Sequence, residues 1–290
     1  MPRTRVVSQI MYVMARSPAI EGVDRFVGRG LPAIRIGEGP RTLVSLPGLS
    51  LDDRHPTGQA RTMALTGWEP LLDRYTIYRI GRRTYPVGTT FREMADDVIT
   101  AIEGLRPPVD LMGASTGGIV ALEIAAARPD LVRRLVLVIT GTTVSPVARD
   151  LGERVIAAAR AGKWRRVYAL MLPIGARTRS ERLFYRAFGW LLGPGVVGVP
   201  DDPTLLFAEL EAWMRTDAAG LVGQVSTPTL VVAGELDPVF PLEGAREFAA
   251  GFADGRIVVM PRTAHDFPAS AIRDHISGFL DEKPGQLKSE

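Results

Sequence analysis

Two hydrophobic periodicities alternate along most of this chain. Short apolar and β-branched runs bounded by glycine, proline and polar residues are typical of buried β-strands. Eight such runs occur: Gly22–Val27, Leu31–Ile36, Thr42–Leu46, Tyr75–Ile80, Val109–Ala114, Arg134–Ile139, Thr229–Ala233 and Arg256–Met260. Segments with helical spacing separate or follow them: Thr62–Leu72, Phe91–Leu105, Thr116–Arg128, Leu242–Ala253 and Ala271–Leu280. The alternation predicts an α/β fold, an eight-stranded and mostly parallel sheet with helices on both faces.

The alternation is interrupted once, between the sixth and seventh strand patterns. Only helical patterns occur there, and the first opens with Ser145-Pro146, a typical N-cap and first-turn pair. We therefore predict a helical cap inserted after strand 6. The expected organisation is an arm over residues 1–20, a core over 21–141 and 225–282, and a cap over 142–224.

The first twenty residues predict an amphipathic arm. Val6, Ile10, Val13 and Met14 fit one face of a short helix. We expect this arm to lie on the protein or on a second subunit, which leaves a homodimer open, with a membrane-surface anchor as the alternative. A secretion signal is disfavoured because polar residues interrupt the apolar run and the following triplets make poor cleavage sites.

Composition narrows the class of protein. With 290 residues, 46% hydrophobic and 23% charged, the chain is an ordinary globular one. The net charge of +3 does not favour nucleic acid as a partner. The absence of cysteine excludes disulfides, thiolate metal sites and thiol catalysis, and it permits a reducing compartment. No apolar run approaches the roughly 18 residues of a membrane span, so we expect a cytoplasmic protein without a transmembrane segment.

The segment Gly113-Ala114-Ser115-Thr116-Gly117 carries the strongest chemical signal. It has the pattern G-x-S-x-G between a strand pattern and a small-residue helix. A strand that turns abruptly into a helix strains its hinge residue, and side chains two positions to either side would collide, so glycine is favoured at both. The arrangement predicts an exposed serine hydroxyl with the Thr116 N–H directed at the group it attacks.

A serine nucleophile needs a base, and the base needs an orienting group. The chain has three histidines, of which His265 follows the last strand pattern, where catalytic loops of a parallel sheet lie. His55 and His275 are interpreted as solvated or helix-surface residues. The turn after the seventh strand holds two carboxylates, and we favour Asp237 over Glu235 as the orienting acid.

The order Ser115, Asp237, His265 resembles that of the α/β-hydrolase superfamily. The serine elbow, the acid turn Gly234-Glu235-Leu236-Asp237-Pro238, the late histidine and the helical cap after strand 6 stand where that family has them. The resemblance implies serine-based acyl chemistry without a metal or organic cofactor. Subfamilies that attack with aspartate, the epoxide hydrolases and haloalkane dehalogenases, are disfavoured by Ser115.

The resemblance also implies an oxyanion hole. The family's first donor follows the third strand, in a loop that normally opens with His-Gly. This chain has Pro47-Gly48-Leu49 instead. Proline has no N–H to donate, which leaves the backbone N–H of Leu49 as the expected partner of the Thr116 N–H.

The cap sequence predicts a candidate substrate pocket. Within Ser180–Leu192 one helical face is apolar, and it either packs the cap onto the sheet or lines an acyl pocket. The pocket residues that we predict are Tyr168, Met171, Phe184, Phe188, Phe207 and Trp213. Residues 141–200 hold ten basic side chains against three acidic ones, a net +7. This charge indicates a solvated outer face or, alternatively, contact with an anionic substrate, a thioester carrier or a lipid surface.

These features favour a cofactor-independent serine hydrolase that cleaves a small or medium, largely apolar ester, lactone or thioester through an acyl-enzyme. Alternatives are a carbon–carbon bond hydrolase, a cofactor-free perhydrolase or haloperoxidase of the same fold, and a non-catalytic binder. The expected partner is a small-molecule substrate.

Overall fold

The eight predicted strands form one sheet. A computed structural model describes residues 20–266 and 271–282, so the predicted N-terminal arm lies almost wholly outside the described residues. The strands are β1 (Gly22–Val27), β2 (Leu31–Ile36), β3 (Arg41–Leu46), β4 (Tyr75–Ile80), β5 (Val109–Ala114), β6 (Val132–Val138), β7 (Thr229–Gly234) and β8 (Gly255–Met260). Their order across the sheet is β1-β2-β4-β3-β5-β6-β7-β8.

The sheet is mostly parallel, as predicted. β1 pairs antiparallel with β2, and β2 pairs antiparallel with β4. All other neighbouring strands run parallel. The parallel strands therefore end at the same edge of the sheet, and the loops that follow β3, β5, β7 and β8 meet there.

Helices cover both faces of the sheet. Outside the segment between β6 and β7 they are α1 (Gly58–Leu65), α2 (Phe91–Glu103), α3 (Thr116–Ala127), α9 (Leu242–Ala250) and α10 (Ser277–Asp281). One hydrophobic cluster joins α2, α3 and α9 to one face, and a second joins α1 and α10 to the other. The α/β fold with two covered faces is confirmed.

The predicted helix Thr62–Leu72 is wrong in its bounds. α1 ends at Leu65, and a separate 3₁₀ turn spans Glu69–Leu71. Gly67 between them has φ +92°, a left-handed conformation that interrupts a right-handed helix. Pro70 then stands in the first turn of the 3₁₀ segment, where its missing N–H costs no hydrogen bond.

Five helices lie between β6 and β7. They are α4 (Pro146–Arg160), α5 (Trp164–Met171), α6 (Arg179–Val196), α7 (Thr204–Arg215) and α8 (Ala219–Val222), with a 3₁₀ turn at Leu172–Gly175. We call α4–α8 the helical insertion. α4 begins as predicted: the Ser145 hydroxyl accepts from the Ala148 N–H at 3.2 Å, and Pro146 is the first helical residue. Among the described residues, no helix combines the length and the apolar character needed to cross a bilayer.

The apolar face of α6 does not pack onto the sheet. Leu183, Leu191 and Leu192 are 69%, 64% and 51% exposed. The prediction that the apolar face of this helix packs the cap onto the sheet is therefore wrong for these residues. The helix instead approaches α5 through its glycine side. A Cβ on Gly189 would lie 2.5 Å from the Tyr168 carbonyl oxygen. Because glycine has no Cβ, the two helix backbones can pack closely here. Helical spacing alone could not indicate that glycines, not leucines, form the contact.

Candidate active site

Ser115 lies at the turn between β5 and α3 in a strained conformation. Its φ is +50° and its ψ is −120°, a region that residues with a Cβ rarely adopt. The Ser115 N–H donates to the Val138 carbonyl at 2.9 Å. A Cβ on Gly113 would lie 2.3 Å from the Gly117 carbonyl oxygen. The two glycines therefore allow the sharp turn that leaves the partly buried serine hydroxyl at the end of the sheet.

We expect Gly113→Ala to destabilise the fold strongly, because the added methyl group meets backbone atoms that cannot rotate away. The expected loss is about 2–4 kcal/mol of unfolding free energy, in the range of severe overpacking. Chemical denaturation measures it. Gly244→Ala is the matched control, since a Cβ there meets nothing within 4 Å, and a helical glycine replaced by alanine should gain stability slightly. Equal stability of the two variants would contradict the tight-turn argument.

Ser115, His265 and Asp237 form one chain of hydrogen bonds. The Ser115 Oγ lies 3.0 Å from the His265 Nε2. The His265 Nδ1 lies 2.8 Å from the Asp237 Oδ2. The structure thus brings together three residues that are separated by 150 and 28 positions in sequence. The histidine ring also lies beside the Phe240 ring, with 5.9 Å between centroids.

Backbone donors hold the Asp237 carboxylate in place. Its Oδ1 accepts from the N–H groups of Val239 at 2.8 Å and Phe240 at 3.1 Å, which leaves Oδ2 directed at the histidine. The Asp237 side chain is 1% exposed. The rival carboxylate of Glu235 accepts instead from the Arg262 N–H at 2.7 Å. The geometry therefore favours Asp237 as the partner of His265.

The other two histidines lie elsewhere. His55 Nε2 is 2.9 Å from the Arg25 carbonyl oxygen, and its ring packs edge-on against Phe26. His275 is exposed in the π-helical turn Ile272–Ile276. Neither lies among the contacts of Ser115.

The loop after β3 packs directly against the serine turn. A Cβ on Gly48 would lie 3.3 Å from the Ser115 Cβ, and a Cβ on Gly117 would lie 2.3 Å from the Pro47 carbonyl oxygen. The predicted donor Leu49 follows Gly48 in this loop. We call residues 47–50 the oxyanion loop, after the role that the sequence predicts for it.

A buried ion pair that was not predicted from the sequence supports this loop. Arg82, just after β4, and Glu209, on α7, are 4% and 0% exposed. The Arg82 Nη1 donates to Glu209 Oε1 at 3.2 Å. The Ser50 N–H and the Thr116 hydroxyl each donate to Glu209 Oε2 at 3.3 Å. Burial raises the pKa of Glu209, and the positive charge of Arg82 opposes that rise.

One sequence signal could have indicated Glu209. It lies on the apolar side of the α7 pattern, between the buried Leu205 and Trp213, where an unpaired carboxylate is costly. A charged residue at such a position needs a buried partner, but its identity follows only from the fold.

The helical insertion also contacts the histidine loop. The His265 N–H donates to the Ile174 carbonyl at 3.2 Å, in the 3₁₀ turn after α5. Arg177, ahead of α6, forms an ion pair with Asp266 at 3.0 Å. The insertion therefore contacts the loops on two sides of Ser115, through Glu209 and through this turn.

The six predicted pocket residues are spread over the insertion. Met171 is partly buried at the end of α5, directly before the turn that contacts His265. Tyr168 is buried and donates to the Gly198 carbonyl, and burial raises its pKa to about 12. Phe184 is 46% exposed and stacks on Phe188. The remaining two, Phe207 and Trp213, lie on α7 and pack toward α4. The Arg160 guanidinium lies over the Phe207 ring, and Trp213 lies against Gly152.

A basic groove of about 710 Å³ lies on the insertion, and its lining includes none of Ser115, Asp237 and His265. Five cationic side chains line it together with two tryptophans: Arg154, Lys163, Arg165, Arg166, Arg186, Trp164 and Trp190. These five cations are exposed, which agrees with the interpretation of the local positive charge as a solvated outer face.

A comparison with known protein families agrees with the fold. The sequence profile of the alpha/beta hydrolase family matches residues 40–273. The chain therefore belongs to the alpha/beta hydrolase family.

Individual proteins that resemble this chain share less than a third of its residues over the matched region. The chain is 29% identical over 214 residues to a pimeloyl-(acyl-carrier protein) methyl ester esterase of Neisseria meningitidis, a match that covers 67% of this chain and 64% of that protein's length. A thermophilic esterase of Thermogutta terrifontis superposes with a TM-score of 0.70 at 23% identity, over 90% of this chain and 98% of the other. The enol-lactonase of Burkholderia xenovorans gives 0.68 at 20% identity, over 90% and 100%. At these identities the two structures establish the fold alone.

Proposed function

We propose that this protein is a serine hydrolase that cleaves a small or medium, largely apolar carboxylic ester, lactone or thioester through an acyl-enzyme. The observation that carries the proposal is the hydrogen-bonded chain Ser115–His265–Asp237 at a strained strand-to-helix turn. Membership of the alpha/beta hydrolase family and the esterase named among its relatives support the ester class.

The chemistry follows from which atoms face one another. His265 Nε2 accepts the Ser115 proton while Oγ attacks the carbonyl carbon, and the same nitrogen then returns that proton to the leaving alcohol or thiol. For this the histidine must carry its own proton on Nδ1, and the Asp237 Oδ2 at 2.8 Å holds that tautomer. Water then attacks the acyl-enzyme by the same route and releases the acid.

The negative charge that develops on the carbonyl oxygen needs donors that are already in place. The backbone N–H groups of Leu49 and Thr116 are the proposed pair. The packing of Gly48 against the Ser115 side chain supports this assignment, because it puts the oxyanion loop beside the nucleophile.

The alternatives use the same triad. A carbon–carbon bond hydrolase would need the same nucleophile and base, and a perhydrolase would intercept the acyl-enzyme with peroxide in place of water. A non-catalytic binder is disfavoured, because a binder has no use for a strained serine hydrogen-bonded to a buried His–Asp pair.

Two assays test the proposal. A fluorophosphonate probe should label the wild-type protein at Ser115, which separates an enzyme from a binder. A panel of 4-nitrophenyl esters, lactones, thioesters and a peroxide assay then separates the reaction classes. Failure of both the probe and the whole panel would contradict the proposal.

Met171 is the predicted pocket residue with the best structural support, because its segment contacts the His265 backbone. We expect Met171→Ala to lower kcat/KM for an octanoyl ester about 5–30-fold and to leave an acetyl ester nearly unchanged, since only the long chain reaches the lost apolar surface. Leu191→Ala, at an exposed position of the same insertion, is the control and should change neither. An equal loss for both esters, together with a lower melting temperature, would instead indicate a packing role.

A further inference from the structure

Arg82 and Glu209 contact the oxyanion loop at three consecutive peptide units. Arg82 donates to the Pro47 carbonyl at 3.2 Å through Nη2 and to the Gly48 carbonyl at 3.1 Å through Nη1. Glu209 accepts from the Ser50 N–H at 3.3 Å. The planar guanidinium and the carboxylate thus hold the loop backbone on either side of Leu49.

The Gly48 contact fixes the direction of the Leu49 N–H. In a planar trans peptide the carbonyl oxygen and the following N–H point in opposite directions. Because Arg82 holds the Gly48 oxygen on its own side, the Leu49 N–H of the same peptide unit points to the other side. The positively charged Arg82 guanidinium that donates to the Gly48 carbonyl also makes the Leu49 N–H a stronger hydrogen-bond donor, since hydrogen bonds in a chain polarise one another.

The second proposed donor is connected to the same pair. Thr116 carries the other N–H of the proposed oxyanion hole, and its hydroxyl donates to Glu209 Oε2 at 3.3 Å. The Arg82 Nη2 lies 3.5 Å from that hydroxyl oxygen. Both donor segments are therefore tied to one buried ion pair.

We infer that Arg82 and Glu209 are positioning residues of the oxyanion hole, through which the helical insertion takes part in catalysis. This inference rests on the proposed serine-hydrolase function, because an oxyanion donor matters only when an oxyanion forms.

Stability and positioning can be separated by replacing the pair in two ways. Arg82→Met with Glu209→Leu removes both charges and keeps apolar bulk, a change that is often neutral for folding. The loop then loses its anchors while the core stays packed. Glu209→Gln keeps an acceptor oxygen for the Ser50 N–H but leaves the buried Arg82 charge without its partner, which destabilises the fold.

The two variants are expected to differ in opposite ways in melting temperature and in kcat. For the double variant we expect a melting temperature near that of wild type and a kcat about 10–100-fold lower with KM nearly unchanged, since a misdirected donor weakens only the transition state. For Glu209→Gln we expect a clearly lower melting temperature and a smaller loss of kcat. An alkyl trifluoromethyl ketone, whose serine adduct carries an oxyanion, should bind the double variant more weakly by the same factor as kcat falls.

Arg133→Met is the matched control. Arg133 pairs with the buried Asp110 at 2.6 Å. Asp110 lies at the start of β5, roughly 16 Å along the strand from Ser115. This variant should lower the melting temperature and leave kcat per folded molecule unchanged. A double variant with wild-type melting temperature, kcat and ketone affinity would overturn the positioning role and leave the proposed function intact. A wild-type protein that hydrolyses no acyl substrate would contradict both.

Discussion

Ser115→Ala is expected to lower kcat by three or more powers of ten and to leave the fold intact. The substitution removes the Oγ that lies 3.0 Å from the His265 Nε2, and without it no acyl-enzyme can form. Triad enzymes that lose their nucleophile keep only the catalysis that the oxyanion hole and substrate binding provide. Steady-state kinetics with a 4-nitrophenyl ester measure the loss, and thermal melts verify folding.

A second serine provides the control for this prediction. Ser277, whose hydroxyl donates to the Arg273 carbonyl on the surface, can be replaced by alanine with no expected change in rate. If Ser115→Ala melted like wild type and still turned over the ester at a near-native rate, Ser115 would not be the nucleophile and the central proposal would be wrong.

Asp237→Asn is expected to lower kcat about 10³–10⁴-fold with little change in KM. The N–H groups of Val239 and Phe240 donate to Oδ1, so the amide oxygen of an asparagine would turn toward them. Its NH₂ group would then face the His265 Nδ1 and donate to it. The imidazole would be forced to carry its proton on Nε2, where it can no longer accept the serine proton.

Glu235→Gln distinguishes the two carboxylates of that turn. Glu235 accepts from the Arg262 N–H on the surface, so its amide variant should keep a rate within about twofold of wild type, as is usual for surface changes. Full activity of Asp237→Asn with a large loss for Glu235→Gln would reverse the assignment.

Most of the sheet could be predicted from sequence because β2, β5, β6 and β7 are almost fully buried, whereas the edge strands β1 and β8 are exposed or partly buried. The apolar runs have clear limits, and the predicted runs agree with the observed strands within about two residues. The helix after β3 could not be bounded in the same way. Its apolar pattern continues past Leu65, and only the left-handed conformation of Gly67 ends it.

The candidate site was predictable where local geometry constrains the residue type. The glycines around Ser115 follow from steric contact at a sharp turn, and His265 and Asp237 follow from the position of their loops at the ends of parallel strands. The Arg82–Glu209 pair could not be predicted, because 127 positions separate its members and nothing local couples them. The packing of the apolar face of α6 was predicted wrongly, because helical periodicity identifies an apolar face but not the surface against which it packs.

Trapping the acyl group on the protein is the decisive experiment for the proposed acyl-enzyme. The wild-type protein is mixed with excess 4-nitrophenyl ester, quenched with acid within the first turnovers, digested and analysed by mass spectrometry. We expect a mass increment equal to the acyl group on the peptide that contains Ser115, and we expect it to disappear when the substrate is exhausted. Steady ester hydrolysis without any acylated peptide, or with the acyl group on another residue, would contradict it.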